Sequence, residues 1–299
     1  MNRNYELPGG VTVSRMQPAI GAIISGVDLH AGWNDEQADS IRQALYAHGV
    51  ILLRDQQDMT FEDHLAFARI FGKIVTEGPD PERPMITPVT AKAYSREGTA
   101  SSWHSDGCYQ PEPPVASILR GIDPCTFGGD TCWSSAVAAY ANLSDDMKDR
   151  IAGLKFSSSL AAVMPKDNDS FGSSDKWNEL RDLYPTVYWP VVSVHPVTGA
   201  RALYVNRTWS VDIVGMEEAE GKALIGELAD EFLRPEYQCR WQWAKGDVAI
   251  WDNRLVQHYG VPDQTTDRYL ERITVSGGPI IGIADWGERT GKVAQPAAA

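Results

Sequence analysis

The 299-residue sequence has little cysteine and no long apolar run, and both shortages exclude classes of protein. Its four cysteines form no C-x-x-C pair, so we expect neither a zinc knuckle nor a disulfide framework. The scarcity of cysteine favours a reduced, cytoplasmic location. Because no segment approaches eighteen consecutive apolar residues, no membrane span is predicted. The first residues also lack the apolar stretch of a signal peptide.

Basic charge is in short supply as well. The formal net charge is −13, and an acidic surface repels phosphate backbones, so we expect no nucleic-acid partner. Hydrophobic residues (43%) and charged residues (22%) occur in the proportions of a globular protein that buries a large core. Since there is no repeat or low-complexity linker, residues 1–299 are predicted to form one domain. Variable loops are predicted at about 72–102 and 161–180, and a frayed tail over 292–299.

Helix signals are clearest in the first third of the chain. Asn34 is a predicted N-cap, with Gln37 at the capping-box position, for a helix over about 35–48. Thr60 is predicted to cap a second helix that runs to about residue 71. Two further helices are predicted over about 144–154 and 216–232.

The remaining pattern is β-rich. Short runs of β-branched and aromatic residues, bounded by turn residues, predict a series of strands. They cover residues 11–16, 20–24, 50–53, 115–120, 187–194, 202–206, 238–243, 248–251 and 272–276. Together with the helices they predict a mixed, β-rich fold, with a double-stranded β-helix (jelly roll) core and flanking α-helices.

Histidine is also scarce, and most of the six histidines are interpreted as structural. Those four are His30, His48, His64 and His195. His104 differs because it begins the sole H-x-D sequence, within Trp103-His104-Ser105-Asp106. Residues two apart on a strand point to the same face, so His104 and Asp106 are predicted to reach one metal ion from a strand.

A further histidine and two arginines extend this hypothesis. His258 follows a predicted strand and the polar turn Asp252-Asn253-Arg254. Arg268 and Arg272 are four residues apart where the chain re-enters a strand, so they should share a face. Two buried, unpaired guanidinium groups would be costly, and a dicarboxylate ligand would supply the missing charge in bidentate geometry. Ordinary surface charge is the alternative interpretation of this pair.

These motifs, in this order, resemble those of the taurine dioxygenase-like iron(II)/2-oxoglutarate-dependent oxygenases. The resemblance extends from residues 21–29 to residues 272–274 and implies a single catalytic domain. Its most specific elements are 103–106, Gly128-Gly129-Asp130-Thr131, 251–254 with Gln257-His258, and the two arginines.

The resemblance also implies cofactors and residue roles. The implied iron(II) ligands are His104, Asp106 and His258, a facial triad that leaves three positions for 2-oxoglutarate and O2. Thr131 and Arg268 match the residues that hold the distal carboxylate of 2-oxoglutarate, and Arg272 matches a second arginine near the ketoacid carboxylate and the substrate. Decarboxylation to succinate and CO2 would accompany hydroxylation of a small-molecule substrate. Asp106 distinguishes the chain from related halogenases, which lack this carboxylate.

The sequence argues against taurine as the substrate. The residues expected near the substrate are Glu77, Ala100, Trp103, Tyr109 and Arg272. Taurine-specific members use a histidine in the loop after the second helix and an asparagine four residues before the metal-binding histidine. Here that loop carries Glu77 and no histidine, and Ala100 occupies the second position. A carboxylate repels a sulfonate, and alanine has no side-chain donor.

Two other functions stay open on sequence grounds. A zinc hydrolase on the same fold would use three protein ligands and one water, but it leaves Thr131, Arg268 and Arg272 unexplained. A non-enzymatic, cupin-like binding protein would not need a complete triad. The sequence does not decide between a monomer and a homo-oligomer.

Overall fold

The computed structural model of the protein describes residues 2–76, 86–93, 102–163 and 174–290. The strands of these ranges are β1 (Asn4–Leu7), β2 (Val11–Arg15), β3 (Ala22–Ser25), β4 (Val50–Leu53), β5 (Lys73–Ile74), β6 (Ile86–Ala91), β7 (Pro114–Asp123), β8 (Thr131–Ser135), β9 (Lys155–Ser158), β10 (Val187–Pro190), β11 (Val192–Val194), β12 (Arg201–Leu203), β13 (Ser210–Ile213), β14 (Gln238–Trp241), β15 (Val248–Asp252), β16 (Val256–Gly260) and β17 (Arg268–Ser276). The α-helices are α1 (Asp35–His48), α2 (Phe61–Arg69), α3 (Ala136–Ala141), α4 (Asp145–Ile151), α5 (Leu160–Val163), α6 (Ser174–Leu183), α7 (Glu218–Asp230) and α8 (Ile283–Thr290). Within the described ranges, none of these helices has the length and apolar character needed to cross a membrane.

Contacts divide the chain into two compact units, each assembled from three segments. The first unit comprises Met1–Ser102, Pro114–Ser135 and Arg234–Gly277. The second unit comprises Trp103–Pro113, Ala136–Leu233 and Gly278–Ala299. The single domain predicted from the sequence therefore stays a prediction.

A large sheet dominates the first unit. Its strand order is β1-β2-β3-β4-β15-β7-β17-β5, and β6 also pairs with β17. The pairing of β3 with β4 is parallel, and the others are antiparallel. One face packs against α1 and α2 through a buried core that includes Ile41, Leu45, Phe67, Ile118 and Ile250. Burial of each such side chain contributes about 1.5–3 kcal/mol, so this face stabilises the unit.

Local hydrogen bonds begin both helices of the first unit where the sequence predicts. The Asn34 side chain accepts a hydrogen bond from the Gln37 N–H, and the Gln37 side chain accepts one from the Asn34 N–H. Thr60 and Asp63 form the same capping box at the start of α2. Each box satisfies N–H groups that a helix start leaves without intrahelical partners, and both predicted caps are confirmed.

The other face of the large sheet carries polar side chains. Ser117 and Leu119 flank the core residue Ile118 on β7, so they point away from the helices. Trp251 pairs with Ser117, and Arg272 pairs with Leu119. Since directly paired residues lie on one face, Trp251 and Arg272 share this second face of the sheet.

A three-stranded antiparallel sheet, β14-β8-β16, completes the first unit. Its register pairs His258 with Trp133, and Thr131 with both Gly260 and Trp241. Thr131 and Trp133 are two residues apart on β8, so they and His258 project from the same face.

The second unit contains helices α3–α8 and two small sheets. β9 lies between β10 and β13, and β11 pairs with β12. α8 packs through Trp286 against Val194 and Ile281, and all three are buried. His195 donates its N–H to the Ala200 carbonyl oxygen at 2.8 Å, which closes the turn predicted at residues 196–199.

The predicted loops at 72–102 and 161–180 contain regular structure, so those interpretations are wrong in part. β5 and β6 fall in the first segment. Among the described strands β6 pairs with β17 alone, and such an edge strand tolerates Pro88, which has no N–H to donate. Parts of α5 and α6 fall in the second segment, and α6 is rich in polar residues, so its composition resembles that of a loop. Residues 77–85, 94–101 and 164–173 lie outside the described ranges.

Several strand predictions also need correction. The predicted strand 187–194 is divided into β10 and β11, and β17 begins at Arg268 rather than at residue 272. β1, β8, β9, β13 and β16 are not predicted; a four- or five-residue strand gives a short window, in which a period is detected in some strands and missed in others.

Candidate active site

Arg268, the first residue of β17, is a buried cation that has no ion pair with any described residue. It is 7% exposed, and its Nη1 donates to the Gly129 carbonyl oxygen at 2.5 Å. Its Nε has no hydrogen-bond partner within the described part of the chain. Burial lowers the pKa of this guanidinium, while Cys125 and Asp130 raise it to a smaller extent. A buried charge in this state favours binding of an anion that neutralises it.

A turn at Gly128 and Gly129 brings the Gly129 carbonyl oxygen to Arg268. Gly128 and Gly129 have φ values of 79° and 68°, a region that glycine adopts without strain. A Cβ atom at Gly128 would lie 2.3 Å from the Asp263 carbonyl oxygen, and one at Gly129 would lie 2.9 Å from Cys125 Sγ. The Gly129 N–H also donates to Asp263 Oδ1 at 2.8 Å. The close approach of the Asp263 backbone therefore requires glycine at position 128.

Thr131 begins β8, directly after this turn, and is 5% exposed. Its Oγ1 accepts a hydrogen bond from the Trp243 indole N–H at 3.0 Å. An indole nitrogen is a donor only, so the contact occupies a lone pair of the hydroxyl and leaves the hydroxyl proton for another acceptor. A hydroxyl proton and a buried guanidinium on neighbouring segments of one unit suit a carboxylate ligand.

Arg272 lies on the same face of β17 as Arg268. The pairing of β17 with β6 is regular from Arg268 opposite Ala91 to Ile273 opposite Ile86. The four-residue spacing therefore keeps both guanidinium groups on one side, as the sequence predicts. Arg272 is half-buried, so it is the more solvent-accessible of the two cations.

His258 belongs to a hairpin whose turn is bonded to its surroundings. The Trp251 indole N–H donates to Asn253 Oδ1 at 3.0 Å, and the Asn253 amide donates to Ser117 Oγ on β7 at 3.1 Å. The ring centroids of Trp251 and His258 are 4.8 Å apart. Because the turn is fixed to β7 and the tryptophan packs on the imidazole, the orientation of His258 is restricted.

The H-x-D sequence does not lie on a described strand, so the predicted strand geometry is wrong. Asp106 instead begins a turn, yet its Oδ1 lies 3.9 Å from His104 Nε2. The turn is held by Cys108, whose carbonyl oxygen accepts a hydrogen bond from Trp189 Nε1 at 2.6 Å. His104 occupies a single bridge position and Asp106 a turn, so the two side chains converge without the alternation of a continuous strand.

His104, Asp106 and His258 form a group that can hold a metal ion. Each offers one ligand atom, and these atoms all lie within 4.8 Å of one another. All three residues are buried. Two imidazoles and one carboxylate are the donor set of an iron(II) facial triad, and zinc accepts the same set. The residues present therefore fit iron(II).

The residues predicted to lie near the substrate are described only in part. Glu77 and Ala100 lie outside the described ranges. Tyr109 packs against Trp209 with ring centroids 4.7 Å apart, and against Tyr184 at 5.3 Å. Tyr109 therefore belongs to an aromatic cluster of the second unit. Trp103, which directly precedes the H-x-D histidine, is half-buried.

Histidines outside the metal group have structural contacts. His64 Nε2 lies 3.3 Å from the Ile118 carbonyl oxygen, and burial lowers the His64 pKa to about 4. His48 Nε2 lies 2.8 Å from the Tyr5 hydroxyl, and burial lowers the His48 pKa to about 4. These contacts agree with the structural interpretation of both residues.

Sequence reasoning missed Trp243, Arg240 and Asp263. Trp243 bonds Thr131 across 112 positions of sequence, and Arg240 bonds Asp130 across 110. Residues this far apart leave no local sequence pattern, so these contacts are known only from the fold.

The chain is similar to known proteins in sequence and in structure. Residues 12–274 match the model of the taurine catabolism dioxygenase TauD, TfdA family. The chain is 32% identical to an alkylsulfatase of Acinetobacter baylyi, over 86% of this chain and 82% of that protein. It is 34% identical to an alpha-ketoglutarate-dependent sulfate ester dioxygenase of Pseudomonas putida, over 88% and 89%. A crystal structure of a taurine dioxygenase from Burkholderia xenovorans aligns with a TM-score of 0.78 at 31% identity, over 93% and 94% of the two chains. These likenesses confirm the predicted fold class, a β-rich mixed fold of the double-stranded β-helix type.

Proposed function

Because the chain belongs to the taurine catabolism dioxygenase TauD, TfdA family, we propose that iron(II) bound by His104, Asp106 and His258 serves hydroxylation of a small anionic molecule. The chain is an enzyme, an α-ketoglutarate-dependent dioxygenase that acts on a small organic substrate. α-Ketoglutarate and 2-oxoglutarate are the same compound. The zinc hydrolase and the cupin-like binding protein are therefore set aside. The observation that carries our assignment of the co-substrate site is the buried Arg268 without an ion pair.

The distal carboxylate of 2-oxoglutarate is the anion that we assign to Arg268. One guanidinium nitrogen bonds Gly129, and Nε remains for a carboxylate oxygen. Thr131 accepts from Trp243 and so keeps its hydroxyl proton for the same ligand. Charge-assisted hydrogen bonds of this kind are short and strong, and burial of the site excludes the water that would compete with them.

The metal group has a distinct role in this proposal. When bound, iron(II) together with 2-oxoglutarate activates O2 for hydroxylation of the substrate. The side chains of His104, Asp106 and His258 bind the ion and leave coordination positions open. Trp251, packed on the His258 ring, orients that ligand.

A sulfate ester is the substrate class that we propose. Of two relatives more than 30% identical to the chain, one is named an alkylsulfatase and the other a sulfate ester dioxygenase. Arg272 offers a cation for an anionic group. Hydroxylation of the carbon that carries the ester oxygen gives an unstable product, which releases sulfate as its C–O bond breaks. The balanced reaction converts R–CH2–OSO3⁻, O2 and 2-oxoglutarate into R–CHO, sulfate, a proton, succinate and CO2.

Product analysis tests this function. The purified enzyme receives iron(II), 2-oxoglutarate and O2 with either hexyl sulfate or taurine. We expect sulfate, the aldehyde and succinate in equal amounts from hexyl sulfate, and no sulfite from taurine. Sulfite release from taurine at a rate comparable to 2-oxoglutarate consumption would contradict the substrate proposal.

An oxygen-free reaction is the matched control for the type of chemistry. A hydrolase would still release sulfate there and would yield the alcohol, whereas the proposed oxygenase requires O2 and yields the aldehyde. Anaerobic addition of iron(II) and 2-oxoglutarate should also produce a visible charge-transfer band, which zinc does not give because its d shell is full.

A further inference from the structure

Arg240 links two acidic residues, Asp130 and Asp263, beside the Gly128–Gly129 turn whose carbonyl oxygen bonds Arg268. Its Nε donates to Asp130 Oδ2 at 2.6 Å, and its Nη2 donates to Asp263 Oδ2 at 3.2 Å. Asp263 Oδ1 in turn accepts the Gly129 N–H at 2.8 Å. A continuous set of polar contacts therefore runs from Arg240 to the residue whose carbonyl group bonds Arg268.

Asp130 is the member of this set that could neutralise Arg268. It is 7% exposed, and its Oδ1 is buried without a hydrogen-bond partner in the described ranges. Arg268 Nε is also buried without a hydrogen-bond partner in the described ranges. Burial lowers the Arg268 pKa, and the attraction of Asp130 for the guanidinium partly opposes that lowering. No ion pair within 4.0 Å joins them among the described residues, because the Asp130 carboxylate is bonded to Arg240.

Removal of Arg240 would change the balance of charge around Arg268. Asp130, Asp263, Arg240 and Arg268 carry two negative and two positive charges, so removal of Arg240 leaves an excess negative charge beside Arg268. A buried carboxylate that loses its partner cation is strongly destabilised, and an ion pair with a second cation removes that cost. An internal pair of Asp130 with Arg268 would compete with any dicarboxylate for the same guanidinium.

On the basis of the proposed function, we infer that Arg240 is a positioning residue for 2-oxoglutarate: it holds Asp130 away from Arg268, so that Arg268 stays available for the distal carboxylate. Arg240 does not touch the co-substrate in this scheme. It acts through Asp130, and its effect depends on the charge of that residue.

Binding to the iron(II)-loaded enzyme without O2, followed by calorimetry, tests this inference. The ligands are 2-oxoglutarate and 2-oxopentanoate, which has the same five-carbon chain but no distal carboxylate. We expect Arg240→Gln to weaken 2-oxoglutarate binding about tenfold or more, the scale of a charge-assisted contact, and to leave 2-oxopentanoate binding unchanged. The double variant Asp130→Asn/Arg240→Gln should recover 2-oxoglutarate affinity to within about threefold of wild type, because no carboxylate then competes.

Arg207→Gln is the matched control, since Arg207 is 54% exposed and bonds Asp230 at 2.6 Å, against 53% and 2.6 Å for Arg240 with Asp130. It should bind both ketoacids as wild type does.

The inference is overturned if Arg240→Gln leaves 2-oxoglutarate affinity unchanged, if binding of both ketoacids weakens equally, or if the double variant binds 2-oxoglutarate as weakly as the single variant does. Should Arg240→Gln fail to fold, Arg240→Lys replaces it, and the preserved charge should preserve affinity; a tenfold loss there overturns the inference. Failure of wild type to bind 2-oxoglutarate would instead overturn the proposed function.

Discussion

Replacement of Arg268 should have opposite effects on 2-oxoglutarate affinity and on the stability of the ligand-free protein. Arg268 is 7% exposed and has no ion pair with a described residue, so Arg268→Ala removes a buried charge that the protein itself does not neutralise. The ligand-free variant should be as stable as wild type or more so, because an unpaired buried charge is unfavourable. Binding of 2-oxoglutarate should weaken, since a lost charge-assisted contact is worth about 1.5–3 kcal/mol, or roughly ten- to a hundred-fold in affinity.

Unfolding experiments measure both the stability of the ligand-free protein and its stabilisation by 2-oxoglutarate. In thermal or chemical unfolding of the metal-loaded, oxygen-free enzyme, a ligand at one hundred times its Kd stabilises wild type by about 2.7 kcal/mol. A thirtyfold weaker variant at the same concentration gains only about 0.9 kcal/mol. Arg268→Lys should fall between, because lysine restores the charge but not the bidentate geometry.

Arg207→Ala is the control for loss of a surface arginine, and it should keep the full stabilisation by 2-oxoglutarate. Equal stabilisation of wild type and Arg268→Ala by 2-oxoglutarate would refute the reasoning. Loss of stabilisation in Arg272→Ala alone would then assign the distal carboxylate to Arg272.

The other predictions concern the metal group, the hydroxyl and a buried histidine. His104→Ala, Asp106→Ala and His258→Ala should each abolish turnover and leave the circular dichroism spectrum unchanged; near-normal, iron-dependent activity in any of them would remove that residue from the ligand set. Thr131→Val should weaken 2-oxoglutarate binding by a neutral hydrogen bond, about 0.5–1.5 kcal/mol, in calorimetry, and a larger loss than in Arg268→Ala would reverse the assigned ranking. His64 has a folded pKa of about 4, below that of the unfolded chain, so its stabilising effect is complete above about pH 6.5 and is lost as the pH falls toward 4. Over that window urea unfolding should show a steeper decline in wild type than in His64→Gln, by up to about 1.4 kcal/mol per pH unit, and parallel profiles would contradict the buried, neutral state of His64.

Local chemistry let the sequence by itself determine several features of this protein. The capping boxes at Asn34 and Thr60 join residues three positions apart, so a linear pattern contains all the information that they need. The shared face of Arg268 and Arg272 follows from the period of a strand. The candidate metal ligands His104, Asp106 and His258 follow from the motifs that carry the family resemblance, and the structure describes the same three residues as a group that could hold a metal ion.

Tertiary structure alone decided the contacts that set the charge and orientation of the site. Arg268 bonds Gly129 across 139 positions, and Trp243 bonds Thr131 across 112. Pro88 lies in a strand because β6 pairs with β17 at an edge, and Asp106 approaches His104 from a turn rather than from a strand. In each case the decisive partner is distant in sequence, or the geometry depends on how a segment is held by its neighbours. A periodic pattern records only which residues are near one another along the chain, and it carries no information about which buried charge is left for a ligand to neutralise.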